Sequence, residues 1–187
     1  MYELYNAFEP VIPVFIILFF AVVFITLVIN SRSGYKLDNR KKIVSYLTYV
    51  GLVMTLIGMA LVTLLPGHNP EKVTSFIPFL SIIETWEYAT TRAIINSLLM
   101  NIILFVPFGF FVYLLLRRAF WTVFLAFVTS VAIEFLQYIL PIGRISNVDD
   151  VLLNTIGGFV GMVCGSIFAK FGIVYYIKSG GNDNNKH

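Results

Sequence analysis

The sequence predicts an all-α fold, a polytopic transmembrane helical bundle of about five spans with an interfacial or re-entrant outer loop. Three observations predict it. Of 187 residues, 58% are hydrophobic and only 12% are charged, against roughly 25% charged in a soluble domain. Mean hydropathy is +0.86. Apolar runs of about 20 residues, the length that crosses a ~30 Å hydrocarbon layer, recur along the chain.

The first run, Pro10 to Ile29, follows Glu3 and Glu9 rather than a basic segment and has no small-residue cleavage site after it. It reads as a retained helix, not a signal peptide. Four more runs follow at Ile43 to Leu65, Ile94 to Leu116, Phe120 to Leu140, and Val151 to Phe171 with an extension toward Ile177. The organisation expected is an N-terminal span with a basic cytoplasmic loop over 1–42, a four-span core over 43–177, and a disordered polar tail over 178–187. Ten of the thirteen basic residues then fall on one side: Arg32, Lys36, Arg40, Lys41, Lys42, Arg117, Arg118, Lys170, Lys178 and Lys186. Lys72, Arg92 and Arg144 fall on the other. Basic residues near spans stay inside, so the N-terminus is expected outside and the C-terminus in the cytoplasm. Cys164, the single cysteine, has no disulfide partner and reads as a small packing residue.

Two segments are not plain spans. Residues 66–92 hold an apolar piece, Ser75 to Ile83, too short to cross, with Trp86 and Tyr88 suited to headgroup level. An ordinary outer loop and a structured lid both fit. In the third run Pro107 removes a backbone hydrogen bond and predicts a kink. Asn101 there shares a face with Ser97, Phe105 and Gly109, where it can bond across helices or touch a ligand.

Helical spacing brings out polar faces on the last two spans. Ser130, Glu134 and Gln137 share one face of the fourth span. On the fifth, Asp150 and Asn154 stand above Gly157, Gly161 and Gly165, a doubled small-residue motif for helix packing. Thr48, Gly51, Thr55 and Gly58 form a milder version on the second span. The fourth and fifth spans form a hairpin, and the third starts from the same side. Asn101, Glu134, Gln137, Arg144, Asp149, Asp150 and Asn154 are therefore expected around one polar pocket opening outward. Ser146-x-x-Asp149 resembles a capping box, Asn147 could equally cap, and the Asp pair suits a helix start. Glu134 lies too deep, on this reading, to cap anything, and an ionisable group at such depth points to function or pairing.

These residues resemble the VanZ-like family of small bacterial membrane proteins, associated with reduced susceptibility to the glycopeptide antibiotic teicoplanin. The matching pieces are Ile77-Pro78-Phe79, Asn101-Ile-Ile-Leu-Phe-Val-Pro-Phe-Gly109, Glu134-Phe-Leu-Gln137, Arg144, Asp149-Asp150 and Asn154-Thr-Ile-Gly-Gly158. They cover roughly residues 60 to 165 in order and leave the N-terminal span outside. Where family members often carry Asn three residues before the loop proline and a basic residue two after it, this chain has Ser75 and Leu80. The resemblance implies a multi-pass protein of the bacterial cell membrane that confers glycopeptide resistance.

Three activities compete. A non-enzymatic protein would bind the antibiotic, a lipid-linked cell-wall precursor or a lipid headgroup in the pocket, with Arg144 holding a phosphate or carboxylate; this reading is favoured. A membrane enzyme would use Glu134 as general base, with Asp149 and Asp150 holding a cation for a phosphate. A transporter would use Glu134 as a proton site, but the chain shows no inverted repeat. His68 and His187 lie in a loop and a tail, so no metal site is expected. No cofactor and no nucleic-acid partner is expected.

Overall fold

The computed structural model describes residues 11–32, 40–64, 74–75, 91–140 and 146–170. Among them are five helices: α1 (Val11–Arg32), α2 (Arg40–Leu64), α3 (Thr91–Leu116), α4 (Ala119–Ile139) and α5 (Val148–Lys170). Two extended dipeptides complete the elements: β1 (Thr74–Ser75) precedes α3, and β2 (Ser146–Asn147) leads directly into α5. They pair in parallel, Thr74 beside Ser146 and Ser75 beside Asn147. Stretches within α2, α3, α4 and α5 are long and apolar enough to cross a membrane: Ile43–Leu64, Leu98–Leu116, Ala119–Ile139 and Val148–Lys170. In α1 the described apolar stretch is Pro13–Ile25.

Several helices begin before their apolar runs, because a helix has no reason to stop where its side chains turn polar. α2 takes in Arg40, Lys41 and Lys42, and α5 takes in Val148, Asp149 and Asp150 ahead of Val151. The tail over 178–187 and the extension toward Ile177 lie outside the described residues, as do Trp86, Tyr88 and the Ile77-Pro78-Phe79 piece.

Residues 1–62 with 167–187 form one unit and residues 63–166 another. In the first, Gly58 of α2 faces the ring of Phe15 on α1. Thr48 and Thr55 donate to the carbonyls of Val44 and Gly51 within α2, so their hydroxyls are satisfied without leaving the helix.

The second unit is built on main-chain contact. α3 passes through Pro107 without interruption and ends at a two-residue link, Arg117-Arg118. Arg117 adopts a φ of 55°, the left-handed conformation that closes many helices. Its N–H donates to the Tyr113 carbonyl at 2.8 Å and its Nε to the Leu114 carbonyl at 3.1 Å. Two carbonyls left over at the helix end thus find donors. Thr122 then donates both N–H and hydroxyl to the Arg118 carbonyl, opening α4.

α5 packs against both α3 and α4. Against α4 it runs antiparallel: Ala126 meets Gly158, Ser130 meets Asn154, and Glu134 meets Asn147. Against α3 it runs parallel: Gly157 faces Ile102, Gly161 faces Val106 and Gly165 faces Phe110. At Gly157 and Gly161 a Cβ would run into the carbonyl oxygens of Ile102 and Val106, and at Gly109 into that of Gly158. Lipid is as apolar as Leu, so burial gives little drive between spans. Close approach with dispersion and hydrogen bonding must supply it.

A methyl group separates rigid from yielding contacts. Gly161→Ala meets the Val106 carbonyl and the Phe110 amide, neither of which can swing away, and is expected to cost about 1–3 kcal/mol as overpacking. Gly58→Ala meets the Phe15 ring edge at 3.1 Å; the ring can rotate, and the helix-propensity gain of roughly 1 kcal/mol offsets the remainder. Thermal unfolding of both variants in one detergent checks the contrast, and equal midpoints would contradict it.

Candidate functional site

The polar residues converge where β2 enters α5. Asn147 has extended backbone, and its Oδ1 accepts the Asp149 N–H at 3.1 Å, which makes it the N-cap of α5. Ser146 does something else: its hydroxyl donates to the Glu134 carbonyl at 3.1 Å. Of the two caps the sequence allows, Asn147 fills the role.

Glu134 requires a correction. Its depth in α4 suggested that it could meet no helix end, yet its Oε2 accepts the Asn147 N–H at 2.9 Å. The reason is that β2 lies alongside α4 before α5 starts, so the backbone of the cap residue comes to Glu134. An extended backbone in a bundle has no neighbour within its own helix to receive its N–H groups, and a buried one costs free energy unless it is paired.

The remaining side chains divide. Asn101 on α3 donates to Asp150 Oδ1 at 2.5 Å, joining the start of α5 to a parallel neighbour. Asn154, one turn beyond Asp150, donates from Nδ2 to Ser130 Oγ at 2.9 Å. Its Oδ1 is buried and has no hydrogen-bond partner among the described residues. Gln137 turns elsewhere: its Nε2 donates to the Thr63 carbonyl at 2.8 Å, satisfying a carbonyl at the end of α2. Arg144 lies outside the described residues.

Burial makes these groups expensive. Glu134 is 8% exposed, Asp149 1% and Asn154 3%. Asp150 lies within electrostatic reach of both Glu134 and Asp149. Neither Glu134 nor Asp150 has a cationic partner among the described residues, and no three acidic, histidine or cysteine side chains there are grouped as metal ligands. Ionisable groups within spans pair with something or face water.

Ser130, Ser146, Asn147 and Thr63 join the arrangement without having been singled out as site residues. Ser130 was visible, since it shares a face with Glu134. Asn147 carried the signal of a cap but not of its second bond to Glu134. The pairing of Thr74–Ser75 with β2 had no sequence signal, because a two-residue ladder has no periodicity to read.

The geometry makes separable forecasts. Truncating Asn101 and Asp150 singly and together is expected to give a coupling of about 0.6–1.7 kcal/mol, the average-to-maximum range for side-chain hydrogen bonds between spans. The same cycle on Gln137 and Asp150 is expected near zero, because Gln137 is committed to Thr63. Unfolding in detergent measures both; comparable couplings would contradict the division of the site. Separately, Asn147→Ala is expected to cost about 1 kcal/mol, the usual loss for an N-cap.

No curated protein sequence and no solved structure matches the chain significantly. A protein-family comparison does match, the VanZ/LLP1 family over residues 14–169. The match starts within α1, so the N-terminal helix lies inside the shared region, contrary to the narrower span of about 60–165 read from motifs. Most of the chain is covered, motifs and helices together, and the chain belongs to the VanZ/LLP1 family.

Proposed function

We propose that this protein lowers susceptibility to glycopeptide antibiotics of the teicoplanin type by binding a ligand at the polar cluster where α5 begins. The ligand is the antibiotic, a lipid-linked cell-wall precursor or a lipid headgroup. Family membership supports the resistance reading. The observation that carries the binding reading is the pair Glu134 and Asp150, buried or partly buried in apolar helices with no cationic partner among the described residues. A positively charged ligand would supply the pairing that buried carboxylates favour.

The bias of basic residues supports an outward-facing site in a bacterial cell membrane. Arg117 and Arg118 sit at the α3–α4 link, at the opposite end of α4 from Glu134. With basic residues held inside, the acidic cluster faces out, where antibiotic and precursor are encountered.

Expression of the wild type in a susceptible Gram-positive host is expected to raise the teicoplanin inhibitory concentration, and Glu134→Gln or Asp150→Asn to return it toward the vector control. An unchanged value for wild type would remove the resistance reading. Full resistance in both variants, at equal membrane abundance, would remove the site. Lipid analysis of the same strains tests an enzymatic role, since a catalyst alters a product pool and a binder does not.

A further inference from the structure

We propose that the polar cluster at the start of α5 recognises a primary ammonium group. The inference rests on the reading of this cluster as a ligand site and specifies which chemistry it accepts. Two sources carry that group to the outer membrane face: an aminophospholipid headgroup and an amine-bearing glycopeptide.

Hydrogen-bond direction carries the argument. The amides that reach the cluster, half-buried Asn101 and buried Asn154, each commit one of their two N–H groups to the protein: Asn101 to Asp150, and Asn154 to Ser130. Asn154 keeps a second N–H and an acceptor, Oδ1, in a side chain 3% exposed, and Oδ1 has no hydrogen-bond partner among the described residues. Asn154 stands one turn from Asp150 on α5, and Ser130 one turn from Glu134 on α4, so the Asn154–Ser130 bond forms a floor next to the carboxylates. At 1.5 Å per residue the step is about 6 Å, which one small group can bridge.

The cluster is thus rich in acceptors and negative charge. An anionic ligand would add repulsion where Asp150 already feels both Glu134 and Asp149. Metal coordination needs several acidic groups converging on one point, and among the described residues none do. An ammonium supplies one positive charge and three N–H donors with no acceptor, matching Glu134, Asp150 and Asn154 Oδ1. Depth agrees: Glu134 lies five residues from the end of α4 at Ile139, about 8 Å along the axis, within reach of a headgroup amine. A quaternary ammonium has the same charge but no N–H, and an N-acetylated amine has no charge.

The full-length protein in phosphatidylglycerol nanodiscs doped with a minor lipid tests this. Native mass spectrometry reads retention of phosphatidylethanolamine, phosphatidylcholine or N-acetyl-phosphatidylethanolamine. In a second arm, pure phosphatidylglycerol nanodiscs are titrated with an amine-bearing glycopeptide and its N-acetylated form. Preference for the primary amine by roughly tenfold or more, about 1.4 kcal/mol, in either arm supports the proposal and identifies the source. Asp150→Asn and Asn154→Leu should each reduce that preference. Equal retention of all three lipids together with equal binding of both glycopeptides overturns it, and this comparison needs only the wild type. Retention of phosphatidylglycerol in preference to phosphatidylethanolamine by the wild type, with no preference for the amine form of the glycopeptide, overturns it in favour of an anion site. Amine selectivity in a protein whose wild type leaves the teicoplanin inhibitory concentration unchanged upholds the ammonium site and rejects the resistance reading.

Discussion

The hydrogen bond from the Asn147 N–H to Glu134 Oε2 is the interaction on which the second unit turns. β2 is extended backbone beside apolar helices, and its polar groups need partners that its own helix cannot provide. Glu134 supplies one through its side chain and one through its carbonyl, which accepts from Ser146. Asn147, held in this way, caps α5. The same contact sets where α5 begins relative to α4, and so which residues meet further along. Ser130 then faces Asn154, and Ala126 faces Gly158.

Once that register is set, the glycines decide how close the helices come. α5 approaches α3 through Gly157, Gly161 and Gly165, and α3 approaches α5 through Gly109. Buried hydrogen bonds and main-chain proximity reinforce each other: Asn101 can reach Asp150 because the helices beneath are in contact. A carboxylate cluster held at that depth keeps charge away from lipid and turned toward protein, the usual condition for ions in spans.

Much of this was legible before the structure. Run length gave the helices, and 3.6-residue spacing placed Ser130, Glu134 and Gln137 on one buried face, as found. The parallel relation of α3 and α5 followed from chain direction alone. What spacing could not give was the partner of each polar atom. Gln137 shares a face with Glu134 yet bonds Thr63, because a long side chain can reach along or across the helix from one Cα. Nor could depth along α4 reveal that the chain folds back to bring Asn147 beside Glu134. Helix ends were placed less well than helix interiors, since hydropathy marks the hydrocarbon boundary and not the last hydrogen bond.

The crossing of α3 and α5 has a bearing on how such a protein can diverge. Where side chain packs on side chain, a loss on one helix can be matched by a gain on the other, and lineages wander through compensated pairs. Between Gly161 and the Val106 carbonyl there is no second side chain to change. Drift there has no reciprocal step, whereas Phe120, Phe135 and Ile156 point outward and can vary freely as long as they stay apolar. Ancestry should therefore be written unevenly in this fold, kept at the bare positions and erased on the greasy ones.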